Sequence, residues 1–146
     1  MSFHPYLAFA GNCREAFTRY QEIFGGDLTL LTMNDVPSDG NEPPVEMGDM
    51  IIHAALKVGD DLLMASDDPT TTSPGPKEGI MVSVSPADAS EAKRVFDALA
   101  DGGEVRQELM QTFFSPAFGM CVDRFGTPWM ISAEDPNAPS GNPGNG

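Results

Sequence analysis

The sequence predicts an α+β protein built from two similar strand–helix–three-strand units, and three observations carry that prediction. One order of elements occurs twice along the chain. Both helices open on a side-chain acceptor followed three residues later by a glutamate, Asn12 with Glu15 and Asp88 with Glu91, close to the capping-box pattern. Both helices end in paired glycines, Gly25-Gly26 and Gly102-Gly103, which can take the left-handed conformation that closes a helix.

In the first unit Tyr6 to Phe9 reads as a short strand, and Ala16, Phe17, Tyr20, Ile23 and Phe24 form the stripe of a helix. Three strands follow, Leu28 to Met33, Met50 to Val58 and Leu62 to Ala65, with Gly59-Asp60 as a hairpin turn between the last two. In the second unit Ile80 to Val84 is the strand, and the helix stripe is Ala92, Val95, Phe96 and Leu99. Its three further strands are Val105 to Gln111, Gly119 to Asp123 and Trp129 to Ser132, with Phe125-Gly126 at the turn. Gly25 and Gly102 are 77 positions apart, Asn12 and Asp88 76, Met64 and Met130 66, so the drift falls in loops, as a duplication requires. The expected organisation is one domain over 1–134, with modules at about 3–67 and 79–134. Two loops rich in Pro, Gly, Asp and Thr interrupt it, Asn34 to Asp49 and Ser66 to Glu78, the second linking the modules. The segment 135–146, almost without apolar residues, is expected to be a disordered tail.

The chain has 146 residues, 40% of them hydrophobic and 21% charged, enough to bury a core without disulfides or a structural metal. Acidic residues outnumber basic ones by 22 to 8, for a formal charge of −14. Such a surface repels a nucleic-acid backbone and an anionic membrane, so neither is expected as a partner. The start, Met1-Ser2-Phe3-His4-Pro5, has no basic or apolar stretch of a secretory signal, and no apolar run is long enough to cross a bilayer, which points to the cytoplasm. The two cysteines, Cys13 and Cys121, are read as buried thiols. Cys13 would be somewhat acidified in a first helical turn, but no Cys-His-Asp arrangement surrounds it.

Several stretches resemble the PhnB-like branch of the glyoxalase and bleomycin-resistance (vicinal oxygen chelate) superfamily. They are Pro5 to Phe17 with its Gly-Asn-Cys-Arg-Glu-Ala core, His53 to Asp60, Leu63 to Asp67, and Phe118 to Met130 with its Asp-Arg-Phe-Gly-Thr-Pro-Trp run. The resemblance implies two βαβββ modules forming a cup-shaped mixed sheet with helices on the convex face, a ligand held by the concave faces, and a homodimer. Strand alternation assigns faces within that picture. Leu7, Phe9, Ile80, Val82, Val84, Leu63, Trp129 and Ile131 would pack on the helices, as would Ile52, Ala54, Leu56 and Val58 on the long strand. His4, Tyr6, Ala8, Met64, Ser66, Met81, Ser83, Met130, Ser132, His53 and Lys57 would face the cup.

Metal-dependent members of the superfamily carry His or Glu at four equivalent positions on the first and last strands of each half. Matched by resemblance, these fall on His4, Met64, Gly79 and Met130, and only the first is a suitable ligand for a hard or borderline divalent ion. No metal and no cofactor is therefore expected, although a rearranged set of His4, His53 and Glu134 is the alternative. His53 is the candidate catalytic or ligand-binding residue, since an imidazole in a cup serves as a base or hydrogen-bond partner, or else holds the sheet together. Tyr6, Met64, Met81, Phe113, Phe114 and Met130 complete the candidate binding set. Thr112 to Phe118 concentrates aromatic surface that would either wall an apolar pocket or pack in a dimer.

These residues favour a protein that binds a small molecule, cationic or aromatic, without the usual metal. The alternatives are a lyase or dioxygenase with the rearranged metal site, a metal-free enzyme using His53, and an interaction module whose dimer is its function. Proteins of this kind are often labelled ubiquinone-precursor methyltransferases, but no strand runs into a G-x-G loop and helix as a nucleotide-like methyl donor would require.

Overall fold

Residues three and four apart on a helix share a face, and that rule builds both α-helices among the described residues. The computed structural model describes residues 1–35, 49–68 and 77–135. Helix α1 (Cys13–Phe24) buries Cys13, Ala16, Phe17, Tyr20 and Ile23, and helix α2 (Ala89–Ala100) buries Ala92, Val95, Phe96 and Leu99. The chain divides into two compact units, Met1–Pro74 and Gly75–Gly146.

In the first unit α1 follows strand β1 (Tyr6–Phe9) and precedes β2 (Asp27–Thr32), β3 (Ile51–Val58) and β4 (Asp61–Asp67), in the sheet order β1-β4-β3-β2. In the second, β5 (Val82–Val84) precedes α2, followed by β6 (Glu104–Met110), β7 (Phe118–Val122) and β8 (Pro128–Ser132), in the order β5-β8-β7-β6. The first strand of each unit pairs parallel with the last, β1 with β4 and β5 with β8, and the other pairs are antiparallel. Each unit is thus one four-stranded mixed sheet with one helix, the order of elements that the sequence predicts twice.

Each helix packs on one face of its own sheet. Leu7 and Phe9 of β1, Ala54 and Leu56 of β3 and Ala65 of β4 are buried, and the Phe9 ring meets Phe17 edge-on at 6.2 Å. In the second unit Trp129 and Ile131 of β8 and Cys121 of β7 are buried. The second glycine of each pair after a helix is demanded by backbone approach. A Cβ on Gly26 would stand 2.3 Å from the Lys57 carbonyl oxygen, and one on Gly103 would stand 2.0 Å from that of Val122.

The two helix starts differ. Asp88 Oδ1 accepts the Glu91 N–H at 2.8 Å, as the capping pattern predicts. Asn12 makes no side-chain cap bond. Its place is taken by Asp67, whose Oδ1 accepts the N–H groups of Gly11 (3.1 Å) and Cys13 (2.9 Å) while Oδ2 accepts that of Ile51 (3.0 Å). One buried carboxylate therefore ties the end of β4 to the start of α1 and the start of β3. In the second unit a buried carboxylate instead closes the turn from β7 into β8: Asp123 Oδ1 accepts from the Phe125 and Thr127 N–H groups (2.9 and 3.0 Å), and Oδ2 from Trp129 Nε1 (2.8 Å).

Three expected placements are corrected. Ile52 does not lead the helix-facing side of β3; Ile51 is fully buried there and Ile52 only half-buried. The cause is a bulge: Leu31 is opposite His53 but Thr32 is opposite Ile51, so Ile52 is the extra residue and the alternation slips by one. Ile80 lies outside β5 and is 57% exposed. Pairing with β8 begins at Val82 and Trp129, because the next residue back along β8, Pro128, has no N–H to contribute. Met33 opens a 3-10 turn, Met33–Asp35, rather than ending β2. There Asp35 Oδ2 accepts from Thr32 N–H at 2.8 Å and Thr32 Oγ1 at 3.1 Å, and the first of these bonds holds the carboxyl below its usual pKa. Most of the two expected loops, and the expected tail from 136 on, lie outside the described residues.

Candidate functional site

The face of each sheet turned away from its helix is where alternation leaves side chains unburied by the core. In the first unit that face carries Tyr6, half exposed beside the buried Leu7, and Met64 directly opposite it in the β1–β4 register. Met64 is in turn opposite Ala55 of β3, which places it in the middle of the sheet. His53 shares the face two residues from Ala55. The Tyr6 hydroxyl and His53 Nδ1 are 3.4 Å apart, and the two rings lie with centroids 6.0 Å apart, tilted by 34°. At 3.4 Å the bond is long, so the pair can open to a ligand with little loss. Tyr6, His53 and Met64 of the candidate set thus come together on one sheet. Lys57 is exposed on the same side, opposite Asp27 of β2.

In the second unit Met130 pairs with Ser83 of β5 on one side and Met120 of β7 on the other. Met81 precedes β5 and is 45% exposed. Phe113 and Phe114 belong to a turn fixed by Thr112, whose N–H donates to the Ser115 carbonyl (2.9 Å) and whose Oγ1 accepts from the N–H groups of Phe114 and Ser115. Buried Ser115 Oγ donates to the Ala133 carbonyl at 2.8 Å and so fastens the turn to the residue after β8. Phe114 packs edge-on between Phe113 (5.1 Å) and Phe118 (5.2 Å). The turn holds Phe113 almost wholly exposed and Phe114 half exposed.

The strand register alters one of the four superfamily metal positions. Tyr6 is opposite Met64 and Ser83 is opposite Met130, so the counterpart of His4, two residues before Tyr6, is Met81, two residues before Ser83, and not Gly79. The four positions then hold one imidazole and three thioethers. A hard or borderline divalent ion needs carboxylate, imidazole or water oxygen donors, and neutral thioethers do not replace them, so these residues do not fit such an ion. His4 is exposed before β1, with its Nε2 3.1 Å from Ser2 Oγ. Among the described residues no group of three or more His, Cys, Asp or Glu side chains could hold a metal ion.

Neither cysteine offers a nucleophile. Cys13 and Cys121 are buried thiols, 0% and 1% exposed. Burial, with the nearby Asp123 charge, pushes the Cys121 thiol from 9.0 up to about 11. A raised folded-state pKa contributes stability fully below the unfolded value and loses it as pH rises through the folded one. Stability should therefore fall between about pH 9 and pH 11, measured by thermal unfolding, and a Cys121→Ala variant should lose that part of the decline. Equal pH dependence in both chains would contradict the buried neutral thiol.

Comparison with known proteins agrees with the fold. The family model described as 3-demethylubiquinone-9 3-methyltransferase matches residues 1–132. The protein YjdN of Escherichia coli is 30% identical over 141 residues, covering 90% of this chain and 95% of that protein. The crystal structure of protein PA1353 from Pseudomonas aeruginosa is 41% identical, covers 92% of this chain and 98% of that one, and superposes with a TM-score of 0.80. A PhnB protein from Bacillus cereus, 22% identical over 91% of this chain and 99% of its own, shares the fold with a TM-score of 0.71. No helix among the described residues is long and apolar enough to cross a membrane. With two βαβββ units and a family-model match over residues 1–132, the chain belongs to the family described as 3-demethylubiquinone-9 3-methyltransferase, and it shares its fold with the PhnB protein.

Proposed function

We propose that this protein binds a small organic molecule on the helix-free face of its first sheet, without the divalent metal used by other members of the superfamily. The observation that carries the reading is the Tyr6–His53 pair, a phenol and an imidazole meeting at 3.4 Å, with Met64 the cross-strand partner of Tyr6. Aromatic surface with a few convergent polar groups is the usual make-up of a ligand site. A chain with a formal charge of −14 concentrates cations near its surface, and the exposed Tyr6 ring can accept a cation on its face. An aromatic or aliphatic ammonium compound is therefore the favoured class, bound by a dimer in the cytoplasm.

Methyl transfer, suggested by the family description, has less support. The turns from strand to helix read Ala10-Gly11-Asn12 and Ser85-Pro86-Ala87-Asp88, and neither is the G-x-G loop that cradles a nucleotide-like donor.

A thermal-shift screen of aromatic amines, quaternary ammonium compounds and neutral aromatics tests the proposal. Some of the cationic members should raise the Tm of the parent chain, and His53→Ala should weaken their binding by about tenfold, a typical worth for one good polar contact. Unchanged binding in His53→Ala and in Tyr6→Ala would place the ligand elsewhere and overturn the proposal.

A further inference from the structure

The helix-free face of the second sheet carries a row of thioethers that ligand recognition by Tyr6 and His53 does not use. Met130 of β8 and Met120 of β7 are direct cross-strand partners. Met120 is also the partner of Gln107 on β6, and Gln107 Nε2 donates to Met110 Sδ at 3.1 Å. The register between β6 and β7 shifts between Gln107 and Met110, and that irregularity brings residues three apart to the same side of β6. Met130 and Met120 thus lie side by side across β8 and β7, and Met110, opposite Phe118 on the same face, reaches back to the Gln107 side chain beside Met120.

Residues on the other side of β7 confirm which way the row faces. A Cβ on Gly119 would stand 2.9 Å from the Phe96 ring of α2, and Cys121 is buried, so Met120 between them points away from the helix. Met120 and Met130 are half-buried, and Met110 is 52% exposed. Cβ atoms of a directly opposed pair are about 5 Å apart, a gap that two unbranched methionine side chains can close onto one ion. The row ends in Ser83 and Gln107, neither of them charged. Phe118, opposite Met110 and packed against Phe114, walls one side with apolar surface.

We propose that Met110, Met120 and Met130 form a site for a soft monovalent cation of the Cu(I) class. Neutral, polarizable sulfur selects Cu(I) over hard or borderline divalent ions. The Met110 thioether keeps a second lone pair beside the one that accepts from Gln107, and the acidic chain favours any cation's approach. Binding here does not depend on the organic ligand proposed for the first sheet, and either proposal can fail alone.

The test is a titration of the full chain, 13C-labelled at the methionine ε-methyl groups, with silver nitrate in chloride-free buffer, Ag(I) serving as a redox-stable soft ion. One equivalent should shift the resonances of Met110, Met120 and Met130 and leave that of Met64 in place. The Met120→Leu and Met130→Leu double variant should bind Ag(I) at least about tenfold more weakly. Met110→Leu, at an exposed position where folding is not in question, should also weaken binding. Methyl resonances that stay fixed, or affinities equal to the parent's in both variants, would put the ion on the cysteine thiols and overturn the proposal.

Discussion

Asp123→Ala should lower the unfolding free energy by roughly 3–5 kcal/mol, because buried donors left without an acceptor cost about 1–3 kcal/mol each. The Asp123 carboxylate is 5% exposed and receives the N–H groups of Phe125 and Thr127 and the indole N–H of Trp129. Alanine leaves these three donors around a space that water fills only in part. Against a typical domain stability of about 5–15 kcal/mol the loss is large. Urea unfolding followed by tryptophan fluorescence measures it directly, since Trp129 is the single tryptophan and is almost fully buried. Asp123→Asn should lose less, keeping one acceptor oxygen while turning an amide N–H toward a donor. A change below about 0.5 kcal/mol, the range of ordinary surface substitutions, would show that the three bonds are not made.

Asp67→Ala should be comparably damaging, again by roughly 3–5 kcal/mol. This carboxylate is 7% exposed and accepts from Gly11, Cys13 and Ile51, where β4, α1 and β3 meet. Its loss strands buried N–H groups and also removes the negative charge from the N-terminus of α1, a favourable position for an anion. Native-state hydrogen exchange should then show faster exchange at Cys13 and Ile51 than in the parent chain. If Asn12 can serve as the cap once Asp67 is gone, both effects will be small and the carboxylate's assigned role is wrong.

The order of elements and the helix stripes are legible in the sequence because they follow from local periodicity. Asp88 shows this well, since the residue that reads as a cap makes the cap bond. Asn12 shows the limit: its motif is the same, but a carboxylate 55 positions away fulfils the role, and nothing local in the sequence signals that. Ile51 and Ile52 show another, because both are equally apolar and only the bulge opposite Leu31 and Thr32 decides which one is buried.

Face assignments by alternation place Tyr6, His53 and Met64 together, and their contact in the first sheet follows from that. The third metal position is different. Resemblance puts it at Gly79, whereas register counted from Ser83 and Met130 gives Met81. Asp67 and Asp123 lie in the family-like stretches Leu63 to Asp67 and Phe118 to Met130, and their oxygens are occupied by the backbone and an indole. The placement of Met110 on the face of Met120 and Met130 depends on the register shift between Gln107 and Met110 in β6, which no periodicity in the sequence reveals.

Ligand recognition that needs no divalent ion can be measured in one experiment, by calorimetric titration of an ammonium compound from the screen in EDTA and again in Mn(II), Ni(II) or Zn(II). The same dissociation constant in every buffer is the predicted result. Affinity that appears only with an added ion, and disappears with chelator or with His4→Ala, would contradict it.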